Sequence, residues 1–534
     1  MIRDITRRGL AQLLAGGGAA LALPELARAQ NRKGVLAIGL DISDTVTFDP
    51  ARQNNYSPPL ILEACYDTLV TMTPGHYEDV QPLLATKWAR TPDGKGWRFT
   101  LKQGIKFNSG NPVTAEDWRF TFERILQTKD QTAQYIGNVA SVAVSGPDTF
   151  DIMLKEPNEP LLGIIAAPGF AVLEKKVVEA HGGTDQPGAD KNDKATEWLN
   201  QASAGSGAYQ LAGWARNQQI QLQASPNSWR GPSHFQRIVI RHIPDSAAQL
   251  LAVQRGDVDV AFNLIPEQIA TLKGDGKVRV EGLTSLDFVY MALTQEPEFN
   301  KALAVKEARQ AIGYAIDYDG IKNSMLGGAA LRPAHFLPIG VSGSTEEIAR
   351  EIGFRQDLAK AKELLAKAGM PDGFEFEIDY GNAAIAGISY QTLAQKLQAD
   401  LARVGIKAKL NPMDQVNART MYTTGKAQGG VLTFWNPPAV ENLLWAAATV
   451  ERVAKRVHWT PPASLVKLVH DAAAETDPKK QAEMWVDYQK QMVDQANHFI
   501  LFQPIYQIAV RDTLAKLPLT AAGWQLDMYA VKPA

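Results

Sequence analysis

The chain has 534 residues, with 55 Lys+Arg against 57 Asp+Glu and a net charge of −2 at neutral pH. That balance excludes an overall cationic nucleic-acid binder, and 45% apolar with 21% charged residues excludes a disordered or collagen-like chain. A single cysteine, Cys65, excludes both an internal disulfide framework and a thiolate zinc cage.

Residues 1–29 read as an export signal. Arg3, Arg7 and Arg8 form a basic head, and no residue from Gly9 to Leu23 is charged. Ala27-Arg28-Ala29 offers small residues where a signal peptidase reads them, which predicts cleavage before Gln30. Thr6-Arg7-Arg8-Gly9-Leu10 resembles the twin-arginine export signal. No cysteine lies near the cleavage point to carry a lipid anchor. No later stretch holds eighteen uninterrupted apolar residues, so the mature chain is expected to be soluble.

Beyond the signal, strands and helices alternate. Val35 to Leu40 suits a buried strand. After the turn signal Thr91-Pro92-Asp93-Gly94, Trp97, Phe99 and Leu101 alternate with polar residues as a half-buried strand does. Thr114-Ala115-Glu116-Asp117 predicts a helix N-cap, followed by Trp118, Phe122 and Ile125 on one face. The Gly-, Asp- and Asn-rich residues from Gly182 to Asp193 predict an exposed loop. Leu358, Ala361, Leu365 and Ala368 form a helical stripe closed by Gly369; Leu393, Leu397 and Leu401 form another, closed by Gly405. Ile406, Ala408 and Leu410 then read as a strand, and Asp477-Pro478 as a helix start.

The motifs of catalysis are missing from this grammar. The eight histidines form no H-E-x-x-H and no i, i+4 pair, which predicts no metal site and no cofactor. Gly274-Asp275-Gly276-Lys277 lacks the phosphate-loop spacing, and Gly205-Ser206-Gly207 lacks that of a nucleophile elbow. Cys65 sits in an apolar segment and reads as a small core residue. No catalytic residue is assigned.

Thr47-Phe48-Asp49-Pro50, then Leu62-Glu63-Ala64-Cys65-Tyr66-Asp67-Thr68-Leu69, resembles the opening of the peptide/opine/nickel group of extracellular solute-binding proteins of ABC importers. The likeness is densest from Gly104 to Trp118 (GIKFNSGNPVTAEDW). It continues through Gly205–Tyr209, Leu251–Asp259, Ala308–Asp317 and Ala361–Gly369, in order along nearly the whole mature chain. The resemblance implies an α/β, two-lobed periplasmic binding protein fold with a hinge and an inserted domain. By block position, lobe I comprises 30–62, 205–283 and 507–534, the inserted middle domain 63–204, and lobe II 284–506.

The same resemblance implies a cleft with two faces. One is the polar run around Asn54, Asn55 and Tyr56, a surface turn being the alternative. The other is Trp435 with Asn436, where the family carries a Gly-Trp motif at the mouth of the second lobe and Phe434 stands in the glycine's place; a core tryptophan is the alternative. Peptide-binding members carry an Asp three residues beyond that Trp to pair with the peptide ammonium. Here that position is Pro438, and the next acid is Glu441. A buried ammonium without a counter-charge is costly, so neutral or anionic solutes gain over free-N-terminus peptides unless Glu441 reaches in. The implied function is capture of a peptide-like or other small polar solute in the periplasm by a monomer, for delivery to ABC permease subunits in the inner membrane, with no nucleic-acid partner. An exported two-lobed hydrolase is the alternative, and turnover of the solute distinguishes the two.

Overall fold

The computed structural model describes residues 34–53, 57–73, 76–156, 160–272, 274–435, 439–520 and 526–534. The export-signal reading of residues 1–29 lies outside them. Strands follow the chain as β1 (Val35–Leu40), β2 (Val70–Thr73), β3 (His76–Pro82), β4 (Ala85–Arg90), β5 (Gly96–Leu101), β6 (Val139–Gly146) and β7 (Thr149–Leu154). Next come β8 (Tyr209–Ala215), β9 (Gln219–Ala224), β10 (Arg237–His242), β11 (Val260–Ala261), β12 (Val278–Thr284) and β13 (Phe288–Leu293). The last are β14 (Ala330–Leu331), β15 (Glu375–Gly381), β16 (Ala384–Ile385), β17 (Ile388–Ser389), β18 (Lys407–Met413), β19 (Gly430–Trp435) and β20 (His498–Arg511).

β20 organises the molecule. Its first half, to Phe502, pairs with β13, and β19, β15 and β18 follow outward. Its second half, from Ile505, pairs with β12 and β11, and β1, β10, β9 and β8 follow on the other side. Each half is a mixed parallel and antiparallel sheet covered by helices, the layered arrangement of α/β folds. The chain crosses between the halves at Ser285–Asp287 and again at Gln503–Pro504. One buried amide ties these crossings: Gln503 Nε2 donates to the Ser285 carbonyl (2.6 Å) and the Ile339 carbonyl (3.0 Å), while its Oε1 accepts from Ile339 N–H (2.7 Å). Tyr506 Oη donates to Asp287 Oδ2 at 2.8 Å. The division into lobe I, middle domain and lobe II remains a proposal; its boundary at 506/507 falls inside β20.

Between β1 and β8 stands a separate four-stranded antiparallel sheet, β4-β5-β7-β6. The helix Ala115–Thr128 packs on it and begins with a full capping box. Thr114 Oγ1 accepts from Asp117 N–H, and Asp117 Oδ2 accepts from Thr114 N–H (2.9 Å). Trp118, Phe122 and Ile125 are buried on its inner face, and Trp118 stacks on Phe150 of β7 at 6.0 Å. The apolar core under this sheet is continuous with residues of β13, such as Tyr290, and with Trp445.

The expected elements at Val35–Leu40, Gly96–Leu101, Leu358–Lys367 and Pro478–Gln495 are present. Gly369 (φ +76°) and Gly405 (φ +87°) supply the left-handed residues after their helices. The stretch Gly182–Asp193 departs from the expected exposed loop. It holds the short helix Ala189–Asn192, and Asp185 and Asp193 turn inward as carboxylate anchors for Arg119 and Arg124. The physical reason is that two arginines on the neighbouring helix need partners once that helix is buried.

Candidate functional site

One wall of the candidate cleft is built on Asp49. Arg124, fully buried, donates from Nη1 and Nη2 to the two Asp49 oxygens (2.8 and 2.7 Å), and from Nε and Nη2 to Asp193 (both 2.8 Å). Thr196 Oγ1 adds a 2.7 Å bond to Asp49. Burial alone raises the Asp49 pKa, but the Arg124 guanidinium outweighs it and holds the carboxyl below its ordinary value. From this anchor the chain turns: the Arg52 and Gln53 N–H groups donate to the Asp49 carbonyl. Arg52 Nη1 reaches Asp130 (3.0 Å), and Thr132 Oγ1 donates to the Pro50 carbonyl (2.7 Å). Beyond the next three residues, Ser57 N–H donates to Asp44 Oδ2 (3.0 Å). Both flanks of Asn54, Asn55 and Tyr56 are therefore pinned, while those three lie outside the described residues.

The second candidate segment is the end of β19. Trp435 pairs with Phe288 of β13 and is half-buried. Its ring meets Phe336 edge-on at 5.5 Å, and the Arg452 guanidinium lies 5.5 Å from its centroid. Asn436 and Pro438 lie outside the described residues. Glu441 caps the helix Asn442–Val450, with Oε1 accepting from Leu443 N–H at 3.5 Å. A Cβ on Gly163, in the short helix of the inserted domain, would stand 2.7 Å from the Val440 carbonyl and 3.1 Å from Glu441 Oε2. Only glycine permits that approach. Burial pushes the Glu441 carboxyl up to about 7, against the two backbone N–H groups that favour its anion.

Several residues around Trp435 escaped the sequence reading. Arg452 Nη1 donates to Gln134 Oε1 (3.2 Å), a contact between the helix Arg452–Arg456 and the short helix Ala133–Ile136. One turn on, the Arg456 guanidinium lies 5.2 Å from the Tyr422 ring centroid. Tyr290 Oη donates to Tyr422 Oη at 3.2 Å. Tyr290 and Phe336 both pack on His498, at 6.0 and 5.1 Å between ring centroids. His335 stands 5.7 Å from His498. Both His335 ring nitrogens and His498 Nε2 are buried without a hydrogen-bond partner. Burial pushes His335 down to about 3; burial, His335 and Arg456 push His498 well below its ordinary value, so both rings are neutral. The sequence signal was modest: two arginines at i, i+4 just after an apolar helix, a pattern that ordinarily marks a solvated face.

Elsewhere the chemistry is bland. Among the described residues no group of three His, Cys, Asp or Glu side chains is placed to hold a metal ion. Cys65 is buried, and burial pushes its thiol pKa up, away from the reactive thiolate. A concavity of about 610 Å³ on the β8–β9 edge is lined by neutral groups such as Gln210, Gln223 and Ser225. No helix among the described residues is long and apolar enough to cross a membrane. The side chains around Trp435 present aromatic faces and guanidinium groups, a set suited to holding a polar solute.

Comparison with known proteins bears on the family and the fold. Residues 79–447 match the model of bacterial extracellular solute-binding proteins, family 5. The chain is 28% identical over 495 residues to "Probable D,D-dipeptide-binding periplasmic protein DdpA" of Escherichia coli K12, covering 91% of each chain. It is 26% identical over 459 residues to the glutathione-binding protein GsiB of Salmonella typhi, covering 84% of this chain and 81% of that one. The solved structure of the ABC transporter substrate-binding protein CtaP of Listeria monocytogenes superposes with a TM-score of 0.79 at 20% identity, covering 94% of this chain and 99% of that one. At that identity the likeness shows the two-lobed fold alone.

Proposed function

We propose, from the premise that this chain belongs to the family 5 bacterial extracellular solute-binding proteins, that it captures a small peptide-like or polar solute between the Asp49-anchored wall and Trp435. It then delivers the solute to ABC permease subunits in the inner membrane. One observation carries the reading: a half-buried tryptophan at the end of β19, beside an arginine that touches the inserted domain through Gln134. Aromatic stacking and charge-assisted hydrogen bonds then close on the solute from both sides. The names of the relatives, a D,D-dipeptide-binding and a glutathione-binding protein, support a peptide-like solute. Residues 1–29 serve as a twin-arginine export signal and the mature protein works as a periplasmic monomer. It does not turn its solute over. The segment Asn54–Tyr56 and Asn436 face the solute, and Glu441 stands behind them.

Native mass spectrometry of the protein purified from its own periplasm tests this. A stoichiometric small molecule, released unchanged on denaturation, is expected. Trp435→Ala should lose stacking worth roughly 1–3 kcal/mol, about ten- to a hundredfold in affinity. A product that grows with time at stoichiometric protein would favour the hydrolase. Unchanged affinity with a large fall in melting temperature would make Trp435 a core residue.

A further inference from the structure

Seven side chains, Trp435 among them, close into a ring. Trp435 touches the Arg452 guanidinium, and Arg456 lies one helical turn further on. Arg456 lies over Tyr422, whose hydroxyl meets that of Tyr290. Tyr290 packs on His498, His498 on Phe336, and Phe336 returns to Trp435. The described part of this ring contains no carboxylate. Among the described residues neither Arg452 nor Arg456 makes a salt bridge, and Arg456 Nε is buried without a hydrogen-bond partner. Two acids of this region have partners of their own. Glu451 accepts from His470 Nε2 at 3.1 Å, and Glu441 caps its own helix against Gly163.

We propose that this protein takes an anionic solute, and that Arg452 and Arg456 hold its carboxylate, or another anion of like charge, beside Trp435. The proposal rests on the solute-binding reading above and names the charge of what is bound. Two guanidinium groups on one helical turn repel each other, and the partial burial of Arg456 removes part of the water that screens them. An anion between them reverses both penalties and satisfies the open Nε–H donor. Guanidinium groups present planar forks matched to a carboxylate. Tyr422 and Tyr290 stand behind as hydroxyl partners. His498, neutral and donating from Nδ1 to Asn497 Oδ1, leaves Nε2 as an acceptor, open to a donor group of the solute and not to its anion. Arg452 also reaches Gln134, so the groups that hold the anion join the two sides of the cleft. An ammonium group placed between the two guanidinium groups meets two like charges, while Glu451, the acid beside Arg452, is engaged by His470.

The test uses the mature protein and a deproteinised cell extract separated by ion exchange into anionic, neutral and cationic fractions, with thermal melting as the readout. The anionic fraction should raise the melting temperature, and added salt should diminish that rise. Arg452→Gln and Arg456→Gln should each weaken the half-saturating dose about ten- to a hundredfold, as loss of a charge-assisted bond does. Arg452 is exposed, so its variant is not expected to misfold, and each variant's shift is referred to its own melting temperature without extract. Arg456→Lys should recover part of the response. A shift produced by the neutral or cationic fraction, or one indifferent to both Gln variants, would overturn the anion seat and leave the solute-binding reading standing. No shift with any fraction would overturn the solute-binding reading itself, and the anion seat with it.

Discussion

A carboxyl group at a helix N-cap is ordinarily ionised, because the first backbone N–H groups favour the anion. Glu441 holds that position, yet burial against the Gly163 helix raises its pKa from 4.5 to about 7. The sign follows from the direction of the shift. The folded state binds this proton more tightly than the unfolded chain does. Stability from the protonated form is therefore fully present below about pH 4.5 and is lost as pH rises through about 7. Glu441→Gln keeps the shape of the neutral acid and removes the titration. Paired denaturant melts at pH 5 and pH 8 should show the variant gaining on the native chain by about 1–2 kcal/mol at the higher pH, after allowance for partial exposure. A difference that does not change with pH would mean that the carboxyl is ionised throughout. In that case Glu441 remains a candidate counter-charge for a cationic solute.

At the scale of elements, local signals were readable and long-range ones were not. The capping box Thr114–Asp117, the glycines closing the helices near 368 and 404, and the Asp477 cap all involve residues within a few positions of one another. Their chemistry is written in the sequence order. Trp435 was locatable as well, because it ends a strand in a matching family block. Arg124 was not. It follows Glu123 on an amphipathic helix and looks like a surface charge, but its partners Asp49 and Asp193 lie 75 and 69 residues away. The chamber behind Trp435 was hidden for the same reason, since it joins Tyr290, Phe336, Tyr422, Arg456 and His498 from separate strands, loops and helices. The Arg124 network makes a strong claim at this scale. Arg124→Met strands two buried carboxylates, which is the costly way to break an ion pair, and should lower stability by about 3–5 kcal/mol in denaturant unfolding. The helix carrying Arg124 should survive in circular dichroism, because its cap and apolar face remain. A loss below 1 kcal/mol would mean that Asp49 is not held by this residue.

Across the whole molecule, two chain crossings join the sheet halves, the second inside the long strand β20, and the Gln503 amide ties them. It bonds Ser285, at the first crossing, and both backbone groups of Ile339. Ile339 belongs to the same loop as Phe336, whose ring backs Trp435. The connection between the sheet halves and the wall of the cleft is thus three residues long. Any rotation of one half against the other that disturbs Gln503 also moves the loop under Trp435. Gln503→Leu fills a similar volume but leaves two carbonyls and one N–H without partners in a buried site. Each such group costs about 1–3 kcal/mol, with relaxation recovering part of the total. A net loss of about 2–4 kcal/mol is expected in denaturant unfolding. Faster hydrogen–deuterium exchange should be confined first to the peptide containing Ile339, because that N–H loses its acceptor. Solute affinity should fall together with this protection if the crossing positions the cleft wall. Faster exchange at Ile339 with affinity untouched would separate the crossing from the cleft, and closure would then have to be controlled by the β12–β20 pairing on the other side.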